Sequence, residues 1–185
     1  KNSILADLKE VRSVLKKYEL QLIYSRDKGY YIDGDSNKIR ELLEITIGNL
    51  ITLVCGRNIL SYIFNECNLI YQEEIFLNSL KIVSDKYQLI FIAEKIDTVA
   101  ILMAVFNEYS LKEPYIKNRE NFEKIIETPL LRLLMDIEEQ FPNLSKERDF
   151  ILSRLAGCVQ GDLNINPEPE IIKIMDEIIL QVKVN

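Results

Sequence analysis

Leu20-Gln21-Leu22-Ile23-Tyr24-Ser25-Arg26-Asp27-Lys28-Gly29-Tyr30-Tyr31-Ile32-Asp33-Gly34 breaks the period of the chain. Ahead of it, Ile4, Leu8, Val11 and Leu15 recur at four, three and four residues. That spacing stacks side chains on one face of an α-helix and leaves Lys9, Arg12, Lys16 and Lys17 off the stripe, in solvent. Within the stretch the period drops to two: Leu20, Leu22 and Tyr24 alternate with Gln21 and Ile23, and Tyr30 and Ile32 alternate again after Arg26-Asp27-Lys28-Gly29. Alternation on both sides of a polar turn that ends in glycine, the residue at ease with a positive φ, predicts a β-hairpin. Ile23 and Tyr31 lie on the opposite phase, so the second face is partly apolar and another segment is expected to cover it.

Downstream the helical period returns and persists. Gly34-Asp35-Ser36 supplies a break and an N-cap, after which Ile39, Leu42, Leu43, Thr46, Ile47 and Leu50 continue at helical spacing. Gly56 separates that helix from one over residues 58–67, and 71–83 follows with Ile75, Leu80 and Val83 among its buried positions. Ile90-Phe91-Ile92 is strand-like but runs into a deeply buried helix over 94–107, where Ile96, Val99, Met103 and Phe106 repeat at threes and fours. Further helices are expected at 118–127, at 130–141 behind the Thr128 cap and Pro129, and at 146–159 behind Ser145, with Gly161 as the stop. Asn166-Pro167-Glu168-Pro169 marks a joint before an amphipathic helix over 170–182. Lys1-Asn2-Ser3 enters a helix with nothing before it and the last helix has no partner after it, so the chain is expected to be a piece of a longer protein.

Composition removes most chemistry. The 185 residues are 48% hydrophobic and 28% charged, the profile of a folded soluble protein, and contain no histidine. Without imidazole there is no Ser-His-Asp or Cys-His catalysis and no histidine-based metal centre. The three cysteines, Cys55, Cys67 and Cys158, form no Cys-x-x-Cys pair and read as reduced core thiols rather than nucleophiles or metal ligands. No phosphate-cradling glycine motif is present. Glu73-Glu74 and Asp136-Ile137-Glu138-Glu139 place neighbouring acids in different directions around a helix, which suits solvated surface better than an acid/base pair. The expectation is a protein without catalytic residues, metal or cofactor. Glu94, Lys95 and Asp97 interrupt the longest apolar run, so no transmembrane segment is expected, and with no secretory signal the expected location is cytoplasmic.

Charge is divided along the chain. Residues 1–40 hold nine of the 23 Lys/Arg and six of the 29 Asp/Glu, a balance of +3, which leaves −9 on the remainder. Any contact with a polyanion is therefore expected to lie within the first forty residues, although on charge alone a solvated helix face is the favoured reading.

Four segments taken in order carry a family resemblance: Asn2-Ser3-Ile4-Leu5-Ala6-Asp7-Leu8-Lys9, Leu15-Lys16-Lys17-Tyr18-Glu19-Leu20-Gln21-Leu22, Lys28-Gly29-Tyr30-Tyr31-Ile32-Asp33-Gly34-Asp35 and Ile39-Arg40-Glu41-Leu42-Leu43. Together they resemble a stretch of the bacterial transcription regulators that carry PRDs, the phosphotransferase-system regulation domains. This group includes BglG-type antiterminators, MtlR- and LicR-like activators and Mga-like virulence regulators. The resemblance implies a mainly α fold: a helix plus β-hairpin wing, part of a winged helix-turn-helix, followed by an all-α PRD-like helical bundle. Residues 1–35 would be the recognition helix and wing, 36–162 a degenerate PRD-like domain, and 163–185 a linker and the first helix of a truncated following domain.

By the same resemblance Lys1, Asn2 and Ser3 stand near the start of the recognition helix, facing base edges, and Arg26 and Lys28 stand at the wing tip beside phosphates. Ala100, within Val99–Asn107, and Arg154, within Phe150–Gly157, occupy the two places where the family has regulatory histidines. Neither accepts a phosphoryl group. Ala100 is then expected to fill core volume, and Arg154 to meet an acid such as Glu138 or Asp149. The implied partners are DNA, a second copy of the chain, contacting through helix faces of 36–162, and phosphotransferase-system proteins. RNA-binding antiterminators of the same superfamily and a helical protein-interaction module are the alternatives.

Overall fold

The computed structural model describes residues 2–111, 113–115, 125 and 128–161, Asn2 by its backbone alone. Lys1, the expected helix at 118–127 apart from Ile125, the expected helix at 170–182 and the 163–185 linker region lie outside the described residues. The first helix, α1 (Asn2–Lys17), leads into the antiparallel strands β1 (Gln21–Ser25) and β2 (Gly29–Asp33). Helices α2 (Ser36–Ile51), α3 (Gly56–Glu66), α4 (Glu73–Tyr87) and α5 (Ala93–Glu108) follow. Then come α6 (Pro129–Glu138), a 3-10 turn (Pro142–Glu147) and α7 (Arg148–Ala156). Among the described residues the chain is mainly helical with one small hairpin, as its periodicity predicts. Among the described residues no helix is long and apolar enough to cross a membrane.

The hairpin pairs Leu22 with Ile32, Ile23 with Tyr31 and Tyr24 with Tyr30. Gly29 closes the turn at φ 71°, a left-handed conformation that costs a residue with a Cβ. Leu20 is the strand-side anchor: 3% exposed, it donates its backbone N–H to Leu15 O at the end of α1. The tyrosines at the far end are exposed and rest on each other, their ring centroids 5.1 Å apart. Ile23 and Tyr31 are half-buried. On α1 the stripe is fully covered at Leu15 and half-covered at Leu8; Ile4 is 63% and Val11 43% exposed.

Asp35 caps α2 through Oδ1, which accepts from the backbone N–H groups of Asn37 at 2.9 Å and Lys38 at 3.0 Å. Thr128 caps α6 with Pro129 in the first helical position. At the centre lies α5, with Val99 through Ala104 and Phe106 all buried, packed against α2, α4, α7 and the 3-10 turn. Its end-on neighbour is a short antiparallel pairing: Phe91 bridges Val159, Ile92 N–H donates to Cys158 O, and Gln160 N–H donates to Ile90 O. The strand-like character of Ile90-Phe91-Ile92 is therefore real but confined to this bridge.

Several expectations are corrected. Ile75 is 48% exposed rather than buried. It lies five residues from Leu80, about 140° off the stripe at 100° per residue, whereas Phe76, Leu80 and Val83 share the inner face. Ser145 caps nothing: it sits inside the 3-10 turn and donates to Pro142 O, so the helix expected at 146–159 starts at Arg148 and stops at Ala156, before Gly161. Cys55 and Cys67 are exposed; only Cys158 is a core thiol. In each acidic run one carboxylate is buried against an arginine. Glu73 accepts from Arg57 Nε at 3.0 Å and from the Tyr71 hydroxyl, and Glu138 is clasped by Arg148. Burial, reinforced by the Glu73 carboxylate, pushes the Tyr71 phenol upward.

Candidate functional site

Two places in the fold hold the residues expected to act. The first is the basic start. Ser3 is exposed in the first turn of α1. Arg26 and Lys28 are exposed on the hairpin tip, where the Lys28 N–H donates to Ser25 Oγ at 3.1 Å and its ammonium stands 5.6 Å from the Tyr31 ring centroid. Lys1 and the Asn2 side chain lie outside the described residues. The hairpin grows from the C-terminal end of α1, and Ser3 is at the other end, about 20 Å away along the axis at 1.5 Å per residue. Helix start and hairpin tip are thus two separate polar points.

The second place is a cleft in the body of about 560 Å³ between α2, the first turns of α5 and the end of α7. Arg154 lies in its wall. Its guanidinium is stacked over Phe150, one turn earlier in α7, with Cζ 4.7 Å from the ring centroid. The acid that meets it is Glu44 of α2, with Arg154 Nε 2.6 Å from Glu44 Oε2, and not Glu138, which Arg148 holds. The Arg154 Nε is shut off from solvent yet donates no hydrogen bond. The carboxylate therefore sits beside the guanidinium as a counter-charge, away from the direction of the N–H. Lys95, also in the wall, donates to Gly157 O at 3.1 Å and pins the end of α7 to the start of α5.

Thr52, Thr98 and Ser153 bring hydroxyls to the same cleft, and Glu94 brings a second carboxylate. With Glu44, Glu94, Lys95 and Arg154 the lining is electrically balanced. Cys158 closes the floor; burial pushes its thiol up to about 11, against which the nearby Lys95 ammonium pulls down. At neutral pH this sulfur is a packed thiol rather than a thiolate.

Ala100, the other position where the resemblance expects a histidine, is fully buried in α5 and fills core volume. Sequence reasoning marked Arg154 but missed Glu44 and Lys95, which come from helices remote in the chain. The one legible signal for Glu44 was its position one turn after Arg40 on the helix that leaves the hairpin.

No protein-family model matches the chain, and comparison with curated proteins and with solved structures finds no match.

Proposed function

We propose that the chain is part of a bacterial transcription regulator of the PRD type. In this reading α1 and the hairpin are the nucleic-acid end, and the helical body is a regulatory and dimerisation domain that lacks phosphorylatable histidines. The observation that carries the reading is the placement of the basic tip. Arg26 and Lys28 project from a hairpin anchored at Leu20, and only Gly34 and Asp35 separate it from α2, the helix bolted into the body by Arg40. A cationic tip on a stiff arm suits phosphate contact beside a groove.

The body carries the −9 balance and opposes DNA at low salt, so binding by residues 1–185 alone should be weak. Kd values of roughly 10–100 μM on duplex DNA at about 0.15 M salt are expected, in the non-specific range. Lys28→Glu should weaken binding several-fold and flatten the slope of log K against log salt. Fluorescence anisotropy over a salt series checks both. Absence of any salt-dependent signal overturns the reading, and preference for structured RNA over duplex DNA moves it to the antiterminator alternative. Ile4, Leu5 and Val11, exposed along α1, favour a second reading, a helical interaction module. That reading requires nucleic-acid binding to be unaffected by reversing the charge of Arg26 and Lys28.

A further expected result separates this chain from the regulators it resembles. A phosphocarrier histidine passes its phosphoryl group to an imidazole nitrogen, and this sequence has none. Incubation with the general phosphotransferase components should leave the chain unlabelled, read by mass spectrometry at neutral pH. An acid-labile phosphate on any residue would contradict the assignment of a silent domain.

A further inference from the structure

The Arg154 cleft is a built space without an assigned occupant. Its volume of about 560 Å³ falls in the range of small-molecule sites. Arg154 and Lys95 bring two positive charges to the lining, beside the carboxylates of Glu44 and Glu94, and Thr98 adds a hydroxyl, whereas the Ser153 hydroxyl already donates to Phe150 O at 2.7 Å. An arginine fork beside a lysine and a hydroxyl is a donor set that recognises a tetrahedral oxyanion.

One detail sets this arrangement apart from an ordinary ion pair. The Arg154 Nε–H is buried without an acceptor although a carboxylate oxygen lies 2.6 Å from the nitrogen. Glu44 supplies charge without satisfying the donor. Its side chain remains 30% exposed, so it has room to leave, and Arg154 itself stays 24% exposed toward the cleft. The other paired arginines differ: the buried Arg40, the half-buried Arg148 and the exposed Arg57 each donate aligned hydrogen bonds to their acids.

We propose that this cleft binds a phosphoryl oxyanion, carried on a small metabolite, and that Glu44 is an internal competitor resting in its place. The cleft is larger than a bare phosphate needs, which points to a phosphate monoester rather than the free ion. Binding would turn the Arg154 N–H groups onto phosphoryl oxygens, with Lys95 as a point charge, and would displace Glu44. Because Glu44 belongs to α2, displacement releases a tie between α2 and α7. That consequence bears on regulation and rests on the regulator reading; the binding itself does not.

The test titrates the 185-residue chain with inorganic phosphate and with glycerol phosphate, by calorimetry and by following the Arg154 Nε–H resonance in NMR. Glu44→Gln removes the competitor and leaves a net positive wall, so phosphate affinity should rise about tenfold, an effect that misfolding cannot imitate. Arg154→Met should lower affinity at least tenfold, and Lys95→Met several-fold, with circular dichroism showing the helices intact. Tighter binding of glycerol phosphate than of phosphate supports the metabolite form; equal binding supports the phosphoryl contact alone. Glu44→Gln binding no tighter than the parent, or Arg154→Met binding as well as the parent, overturns the proposal. Neither result involves DNA, so it leaves the nucleic-acid reading to its own experiment.

Discussion

Arg40→Met should cost about 3–5 kcal/mol of folding stability, the penalty for stranding a buried charge. Arg40 and Glu147 are both fully buried. Arg40 Nε donates to Glu147 Oε2 at 2.7 Å and Nη2 donates to Oε1 at 3.0 Å, a two-pronged contact. Nη2 also reaches Glu113 O at 2.7 Å, and Leu111 N–H donates to Glu147 Oε1 at 3.1 Å. The pair thus ties α2 to the turn that opens α7 and to the segment after α5. With the guanidinium gone, the Glu147 carboxylate keeps one N–H donor in a dry site. It must then take up a proton or let water in, and either is unfavourable. Since a domain of this size is stable by about 5–15 kcal/mol in all, the single variant should stand near the edge of unfolding in a urea titration. The double variant Arg40→Met with Glu147→Met removes both charges and should recover most of the loss. If the double variant is as unstable as the single one, the arginine acts by packing and the stranded-charge account is wrong.

The same pair explains where sequence reading stops. Elements set by local chemistry were legible: the period change at Leu20, the positive φ of Gly29, the Asp35 cap, Thr128-Pro129, and the apolar density of the central helix. Each is decided by residues within a turn or two of one another. Nothing near Arg40 in the sequence announces Glu147, 107 residues away. Glu73 and Glu138 looked solvated for the same reason, although their arginines stand 16 and 10 residues away. Ser145 had the residue type of a cap, but Pro142 had already set a tighter turn that absorbed it. The candidate site divides in the same way. Arg154 was singled out, yet its partner was sought among acids close in sequence, and the fold supplies Glu44 from α2 instead. Charge pairing across a bundle follows from helix packing, which periodicity alone does not encode.

Gly56→Ala should be the most damaging one-carbon change in the chain, costing about 3 kcal/mol or more, beyond the usual range for overpacking. The sequence reads this glycine as a separator, but it is the first residue of α3, buried in the corner where α3 leaves α2. A Cβ there would stand 1.7 Å from Leu50 O, 2.6 Å from Leu50 C and 3.3 Å from Ile51 Cα. All three are backbone atoms, so no side chain can swing aside. The corner is already tight: Leu53 N–H donates to Leu50 O and Gly56 N–H donates to Leu53 O, both at 3.0 Å. Admitting a methyl group would lever α3 outward and uncover Leu60 and Phe64, which join the core from its inner face. Gly48, two turns earlier in α2, provides the control of opposite sign. Its added Cβ would meet only Thr98 Oγ1 at 3.9 Å. Gly48→Ala should therefore stabilise the chain by about 0.5–1 kcal/mol, the ordinary helix-interior gain. Urea midpoints of the two variants moving in opposite directions would establish that space, not backbone freedom, makes Gly56 necessary. A Gly56→Ala midpoint equal to that of the parent would mean that the α2–α3 corner is more open than this packing allows.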